Sequence, residues 1–429
     1  MATTSSSTTT STGPADETVH GGRAAPARVS LLEPERRLVG FALDLLEAPE
    51  GAAGRLTSGG DDAALRVVLA AREARPELRA PSLVLPDTGD PAYLRAARAL
   101  GVRAVVVPTD GAARAQVGPM AHAMDEQTVL AVVSAPSPAL GVVDPVTWIG
   151  TAASAKRVAL HVDARAGGWL LACGERLGRV GPTWGFAAPG VASLVLDLPL
   201  QRGAATLLLH RSAVPAAPCA PPGPGHASAL RAVPGAAAAW TEVAARGLDG
   251  HLLAAGSVLR AVELLAAAVD PLAGVHLAAE PEAGVLALWT SEGCDPFTLA
   301  EQLTLLGWYA EAQPSWSGGP ATVRLVVDVA AATEPERLVG ILERAVGAAR
   351  AQGPISVPTR VRDHLPRLDP ARLTTGDVAV LLDALALEPH TALGTARFEA
   401  LLDLAEPTLR AALLARLDDL LRQPVRAGG

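Results

Sequence analysis

The sequence predicts an α/β protein whose main domain has a mainly parallel sheet covered by helices on both faces. Short apolar runs rich in Val, Leu and Ala recur between residues 82 and 210, and helical stretches separate most of them. The runs are continuous rather than alternating, as expected for strands that are buried on both faces of a sheet. The order strand, helix, strand then favours right-handed crossovers between parallel neighbours.

The predicted elements alternate along most of the chain. Strands are predicted at 82–86, 103–108, 128–135, 158–164, 193–198 and 205–210, and helices at 33–48, 62–74, 91–101 and 144–155. A Pro/Gly-rich loop (213–228) and a long helix, from about 235 to 268, come next. Residues 275 to 350 repeat the order strand, helix, strand, helix, and apolar residues spaced by three and four predict helices between 368 and 423.

The chain has 429 residues, which is too long for one simple core. The N-terminus is rich in Ser and Thr and lacks the apolar segment of a signal peptide, so it is predicted to be disordered. We predict five segments: a disordered tail (1–28), an N-terminal helical segment (29–54), a large domain (55–250), a small α/β domain (251–352) and a helical C-terminal extension (353–429).

Composition argues against several classes of function. The formal net charge is −8 and there is no basic tract, so nucleic-acid binding is not expected. No apolar run approaches the length that spans a bilayer, so a membrane partner is not expected either. Cys173, Cys219 and Cys294 form neither a metal-ligand pattern nor a disulfide framework, which favours a cytoplasmic protein without a metal.

A glycine turn opens the first helix of the large domain. In TSGGDDAAL (57–65), backbone N–H groups at the start of the helix would suit a phosphate. The alternative is a plain turn in which Asp61 or Asp62 is the N-cap. A Gly-Gly pair alone is weak evidence for a phosphate site, so the plain turn is favoured.

Two further loops place polar residues at the ends of predicted strands. In HVDARAGG (161–168), Asp163 follows a buried strand, where an ionised carboxylate either pairs with a pyridinium nitrogen or caps the glycine turn. His161 in the same strand is either part of a site or a core residue. In SAPSPALGVVDP (134–145), Ser134 ends a strand and Asp144 is a predicted helix N-cap.

In this order, the motifs resemble those of fold-type I pyridoxal phosphate (PLP) enzymes, most closely the group II decarboxylase and sphingosine-phosphate lyase-like branch. TSGGDD (57–62) is similar to the family's phosphate loop, and HVDARAGG to its HVDAxxGG motif. PGVASLVLDLPL (189–200) is similar to the family's strand that ends in Asp-x-His-Lys. The resemblance covers roughly residues 33 to 350 and implies a PLP-transferase-like, three-layer α/β/α large domain and a homodimer.

The resemblance also implies the residues that would contact the cofactor. Asp163 would pair with the pyridinium nitrogen, and Asp90 stands where the family has a histidine that stacks on the cofactor ring. The implied cofactor-binding residues are Ser58, Gly59, Gly60, Asp61, Asp90, Ser134, His161 and Asp163.

The departures from the family pattern fall on the chemistry. The lysine that forms the Schiff base corresponds to Leu200, and the histidine before it to Pro199. Leucine has no amine, and the guanidinium of Arg202 is a poor imine former. Lys156 is the only lysine, and it precedes the HVDA strand, on the order of 20 Å from the site. No catalytic residue is assigned, and Asp61 would repel a phosphate by a few kcal/mol.

Three functions remain open from the sequence. The first, which we favour, is a relative of PLP-dependent carboxy-lyases and aldehyde-lyases that has lost catalysis and acts by binding or as a scaffold, in a homodimer or with an intact paralogue. The second is an active decarboxylase-like or lyase-like enzyme that holds PLP non-covalently. The third is a pocket for another small molecule, such as an amine or amino acid, suited to the acidic residues Asp61, Asp90 and Asp163.

Overall fold

The computed structural model describes residues 26–200, 205–213, 235–291, 293–316, 319–389 and 395–423. The predicted tail up to residue 25, Arg202, and most of the Pro/Gly-rich loop with Cys219 lie outside this range. Cys173 and Cys294 are both buried free thiols.

The large domain follows the predicted alternation of strands and helices. Each predicted strand is confirmed to within two residues at either end, whereas β1, α4 and α6 were not predicted. Its strands are β1 (Ala53–Thr57), β2 (Ser82–Pro86), β3 (Arg103–Val107), β4 (Thr128–Ser134), β5 (Ala159–Asp163), β6 (Val191–Asp197) and β7 (Thr206–His210). Its helices are α1 (Pro26–Leu45), α2 (Gly60–Glu73), α3 (Pro91–Ala99), α4 (Val117–Ala123), α5 (Val146–Ala155) and α6 (Gly168–Arg176).

The seven strands form one sheet in the order β1-β7-β6-β5-β4-β2-β3. Strand β7 is antiparallel to both of its neighbours, and the other pairs are parallel. Six strands therefore point the same way, and their carboxyl ends share one edge of the sheet. Ligands of open α/β sheets bind at this edge.

Side chains on the two faces of the sheet pack against different helices. Leu83 and Leu85 of β2 pack in a core with α2 and α3, whereas Val84 between them faces a core that includes residues of α1, α4, α5 and α6. This alternation is what a strand covered on both faces requires. The predicted three-layer α/β/α arrangement is confirmed.

Helix α7 (Ala236–Val269) connects the two sheets of the protein. It changes direction at Gly247, whose φ of 63° is not helical. One 18-residue window has a mean hydropathy of 1.8, so by length and composition this helix could cross a membrane, contrary to the sequence expectation. Buried core helices meet the same criterion, and Val258, Val262 and Leu265 pack in the core of the small domain.

The small domain contains a four-stranded antiparallel sheet in the order β10-β11-β9-β8. The two predicted strands and two predicted helices are present, with two further short strands. The elements are β8 (Val275–Leu277), β9 (Val285–Thr290), α8 (Pro296–Leu305), β10 (Ala310–Gln313), β11 (Thr322–Val326) and α9 (Pro335–Gln352).

The C-terminal extension packs on the small domain. Phe398, Leu401 and Leu413 share one buried cluster with Leu303 and Leu325 of the small domain. The extension therefore enlarges the core of the small domain. Its helices are α10 (Thr359–His364), α11 (Thr375–Ala384), α12 (Ala396–Leu404) and α13 (Pro407–Leu421).

Candidate functional site

The glycine turn after β1 lies at the carboxyl edge of the sheet. Gly59 is the residue before α2, and its φ of 126° favours glycine. The N–H and hydroxyl groups of Ser58 donate to Asp62 at 3.0 and 3.1 Å. The side chain of Asp61 is 72% exposed and pairs with Arg95 at 2.5 Å. Neither aspartate is therefore the N-cap, and Asp61 faces solvent, which corrects the expectation that it repels a bound phosphate.

Asp163 and Asp90 are joined through Arg165. The Nε and Nη2 atoms of Arg165 donate to the two carboxylate oxygens of Asp163, at 3.0 and 2.7 Å. Nη2 also donates to Asp90, at 2.6 Å. The other oxygen of Asp90 accepts from the backbone N–H of Ala92 and so caps α3. Burial lowers the pKa of Arg165, but hydrogen bonding to Asp163 and the charges of both carboxylates outweigh it, so the guanidinium stays charged.

The Arg165 guanidinium also reaches the glycine turn. A Cβ atom placed on Gly60 would lie 1.6 Å from Nη1 of Arg165. Gly60 therefore has no room for a side chain while Arg165 is in this position. Three of the predicted cofactor-binding residues, Gly60, Asp90 and Asp163, thus surround one arginine.

His161 is a core residue rather than a ligand-facing one. Its Nε2 atom lies 2.9 Å from the hydroxyl of Tyr93, and its Nδ1 atom lies 2.8 Å from the hydroxyl of Ser193. Burial lowers the pKa of His161 to about 3, and the charges of His210 and Arg165 act in the same direction. The imidazole is therefore neutral at physiological pH, and both of its nitrogens have partners inside the fold.

Ser134 and Asp144 fix the loop between β4 and α5. The two oxygens of the buried Asp144 accept from the backbone N–H groups of Ala115 and Ser134, each at 2.7 Å. Helix α5 begins at Val146, after Pro145, and no cap from Asp144 is seen. The expectation that Asp144 is the helix N-cap is therefore wrong; it ties the end of β4 to the segment before α4.

The buried carboxyl group of Asp144 should make the stability of the folded protein depend on pH. Burial raises its pKa from 3.8 to about 6, against the two N–H donors and Arg114, which lower it. An acid whose pKa is raised by folding stabilises the folded state fully below its unfolded pKa, and this contribution is lost as the pH rises through about 6. The shift corresponds to about 3 kcal/mol. We expect urea denaturation to show this loss in the wild type relative to Asp144→Asn, and parallel pH profiles would contradict it.

Leu200 lies three residues beyond Asp197, the last residue of β6. It is half-buried and packs against the core of the large domain. One oxygen of Asp197 accepts from the hydroxyl of Thr206 at 2.5 Å. Lys156 lies at the other end of the sheet, where its amine donates to the carbonyls of Ala121 and Met124 at 2.7 Å each.

A cavity of about 720 Å³ opens beside Leu200, between the large domain, α7 and the small domain. Its polar lining comes from both domains and includes Arg246. Among the described residues no cluster of three or more metal-ligating side chains occurs. The lining includes Arg165, Trp169, Asp197, Leu198, Pro199, Leu200, Arg246, His251, Val258, Val329 and Thr333.

The chain is similar to known proteins in both sequence and fold. No protein-family model matches the chain. It is 27% identical over 293 residues to sphingosine-1-phosphate lyase of Dictyostelium discoideum, covering 65% of this chain and 55% of the relative. A probable L-tyrosine/L-aspartate decarboxylase of Methanocella arvoryzae is 26% identical, with 68% of this chain and 78% of the relative covered. The chain spans just over half the length of the curated lyases that it matches.

The solved structure of Burkholderia pseudomallei sphingosine-1-phosphate lyase superposes with a TM-score of 0.66. It is 24% identical, and the match covers 79% of this chain and 80% of the lyase. The chain has the fold of fold-type I PLP enzymes. Its relatives in sequence are lyases and decarboxylases, as the motifs implied.

The residues present do not fit the cofactor of fold-type I enzymes. The guanidinium of Arg165 bonds both oxygens of Asp163 and therefore competes with a pyridinium nitrogen for this carboxylate. The Arg165 guanidinium also bridges Asp163 to Asp90, which by the resemblance stands where the family has its ring-stacking histidine. Leu200 offers no amine.

Arg165, the residue at the centre of the site, was not among the predicted site residues. The available signal was a charged residue directly after a buried strand, between Asp163 and two glycines. The predicted site residues did not include Asp197, Trp169, Arg246 or His251 of the cavity either. Of the predicted set, Ser58 and Asp61 lie on the solvent side, and Ser134 lies beside Asp163 in the β4–β5 pair.

Proposed function

We propose that this chain is a relative of PLP-dependent carboxy-lyases and aldehyde-lyases that has lost Schiff-base catalysis and acts by binding. One observation supports this most directly. The position that the motif assigns to the lysine is Leu200, which is half-buried against the apolar core of the large domain. An alkyl side chain provides neither a nucleophile nor a base.

Lys156 does not replace the missing amine. It follows α5, and its amine is held by two backbone carbonyls. Asp163 ends β5, whereas Lys156 precedes that strand, so the length of β5 separates them. The alternative function, an active lyase or decarboxylase with non-covalently held PLP, would require Arg165 to leave Asp163.

The cavity supports a binding role for the chain. Asp197 in its lining offers an acceptor for an ammonium group, and Arg246 offers donors for a carboxylate. A small amine or an amino acid is therefore the ligand class that we propose. We also propose a cytoplasmic homodimer, or a heterodimer with an intact paralogue, because fold-type I enzymes are commonly dimers with their sites at the interface.

Titration of the purified protein with PLP tests the loss of catalysis. We expect no stable change in absorbance and, after borohydride reduction, no increase in intact mass, because neither Leu200 nor Lys156 can supply an imine at the site. A sphingosine-1-phosphate lyase treated in parallel should gain one phosphopyridoxyl group per chain. An adduct on Lys156, or PLP absorbance that survives dialysis, would contradict the proposal.

A further inference from the structure

The cluster of Arg165, Asp163 and Asp90 has the geometry of a dedicated guanidinium site. The two N–H groups that meet Asp163 form the paired contact typical of tight guanidinium–carboxylate binding. Asp90 accepts from one of the same nitrogens on its other side. Only 17% of the arginine side chain is exposed, so solvent screens these contacts weakly.

The position of the guanidinium beside α2 would be unfavourable without these carboxylates. Its Nη1 atom lies against Gly60, the first residue of α2. The N-terminus of a helix carries partial positive charge and attracts anions rather than cations. The two carboxylates must therefore hold the cation there. Without them, the N-terminus of α2 would attract an anion such as phosphate.

A third carboxylate depends on the same cation. Burial raises the pKa of Asp197, the hydrogen bond from Thr206 and the charge of Arg165 lower it, and the charges of Asp163 and Asp90 raise it. Arg165 contacts Asp163 and Asp90, and its charge also offsets part of the charge of Asp197. Without that cation, their mutual repulsion would be uncompensated.

We propose that Asp90, Asp163 and Gly60 form a guanidinium-binding site, which Arg165 fills from within the same chain in the place of the cofactor ring. By the resemblance, Asp163 would bind the ring nitrogen and position 90 would stack on the ring, and both hold Arg165 instead. This inference rests on the proposed function and adds to it the group that excludes the cofactor, which is the guanidinium of Arg165. Binding of a guanidinium ion tests the guanidinium site. Binding of PLP and formation of a PLP adduct test the loss of catalysis.

The test is chemical rescue of Arg165→Ala with methylguanidinium. We expect low millimolar methylguanidinium to raise the melting temperature of this variant in a saturable way, by about 2 °C or more. The wild type should not respond, because its own arginine fills the site. Arg165→Ala combined with Asp90→Ala should lose the response, and tetramethylammonium at equal ionic strength should not produce it. Equal responses in the wild type, the single variant and the double variant would overturn the proposal.

A second measurement uses the wild type and does not depend on the folding of the alanine variant. A dicarbonyl reagent that modifies arginine should label Arg95, which is 61% exposed, at least about tenfold faster than Arg165. Asp90→Asn should accelerate labelling of Arg165 and leave Arg95 unchanged. Similar rates at both arginines in the wild type, mapped by peptide mass spectrometry, would overturn the proposal.

Discussion

Replacing Arg165 with alanine is expected to lower the free energy of unfolding by about 3–5 kcal/mol at neutral pH. The substitution leaves Asp163, which is 4% exposed, close to Asp90 with no cation between them. Removing one partner of a buried ion pair is costly because the remaining charge stays desolvated and uncompensated. Urea denaturation measures this loss, provided that the m value is unchanged.

Arg95→Ala is the matched control for this variant. Arg95 also pairs with an aspartate of the same region, Asp61, but both side chains are largely exposed. An exposed pair contributes about 0–1 kcal/mol, so this control should be nearly as stable as the wild type. An equal loss in the two variants would show that the cluster at Arg165 does not behave as a buried ion pair.

The deficit of the Arg165 variant should also depend on pH. Burial raises the pKa of Asp197, and Arg165 counteracts this effect. Removing Arg165 should therefore raise the pKa of Asp197 further. An acid with a raised pKa stabilises the folded protein at low pH and loses that contribution as the pH rises. The difference from the wild type should accordingly be smaller at acidic pH than at alkaline pH, and the reverse order would contradict the assignment.

The central strands were predictable because burial on both faces leaves a clear pattern. The runs that became β2 and β4 are fully buried and contain almost only apolar residues. Strand β1, AGRLT, is buried only at its last two residues and contains an arginine, so it gives no such run. The pairing of β1 with β7 is a tertiary contact that the local sequence does not encode.

The role of Arg165 was not predictable because one of its two carboxylate partners, Asp90, lies 75 residues away. Strands β2 and β5 are separated by β4 in the sheet. Neighbouring strands lie about 4.8 Å apart, so the ends of β2 and β5 are about 10 Å apart, a gap that an arginine side chain can cross. Only the order of the strands reveals this, and a local motif does not contain it.

The C-terminal extension illustrates the same limit. Spacing of three and four predicted its helices and showed that each has an apolar face. The spacing does not identify what covers that face. In the structure the cover is the small domain, where Arg410 also donates to the carbonyl of Ser315 and Asp403 accepts from the Ser315 hydroxyl at 2.6 Å.

Rebuilding the cofactor site is expected to require more than a lysine. Leu200→Lys with Pro199→His should not form a PLP adduct, because Arg165 still occupies both oxygens of Asp163. Adding Arg165→Ala and Asp90→His removes the guanidinium and supplies a ring-stacking side chain. We expect this fourfold variant to give one phosphopyridoxyl group per chain after borohydride reduction, mapped to position 200.

The threefold variant that keeps Leu200 separates binding from Schiff-base formation. It should bind PLP without forming an adduct, because the amine is missing while Asp163 is vacant. If Leu200→Lys with Pro199→His formed the adduct as completely as the fourfold variant, Arg165 would not be the barrier to the cofactor.

Binding of PLP should also affect stability. A protonated ring nitrogen returns a cation to Asp163, so PLP should restore part of the stability that Arg165→Ala removes. The rise in melting temperature with PLP should therefore be larger in the threefold and fourfold variants than in any variant that keeps Arg165, since only without Arg165 does the cofactor meet an uncompensated carboxylate.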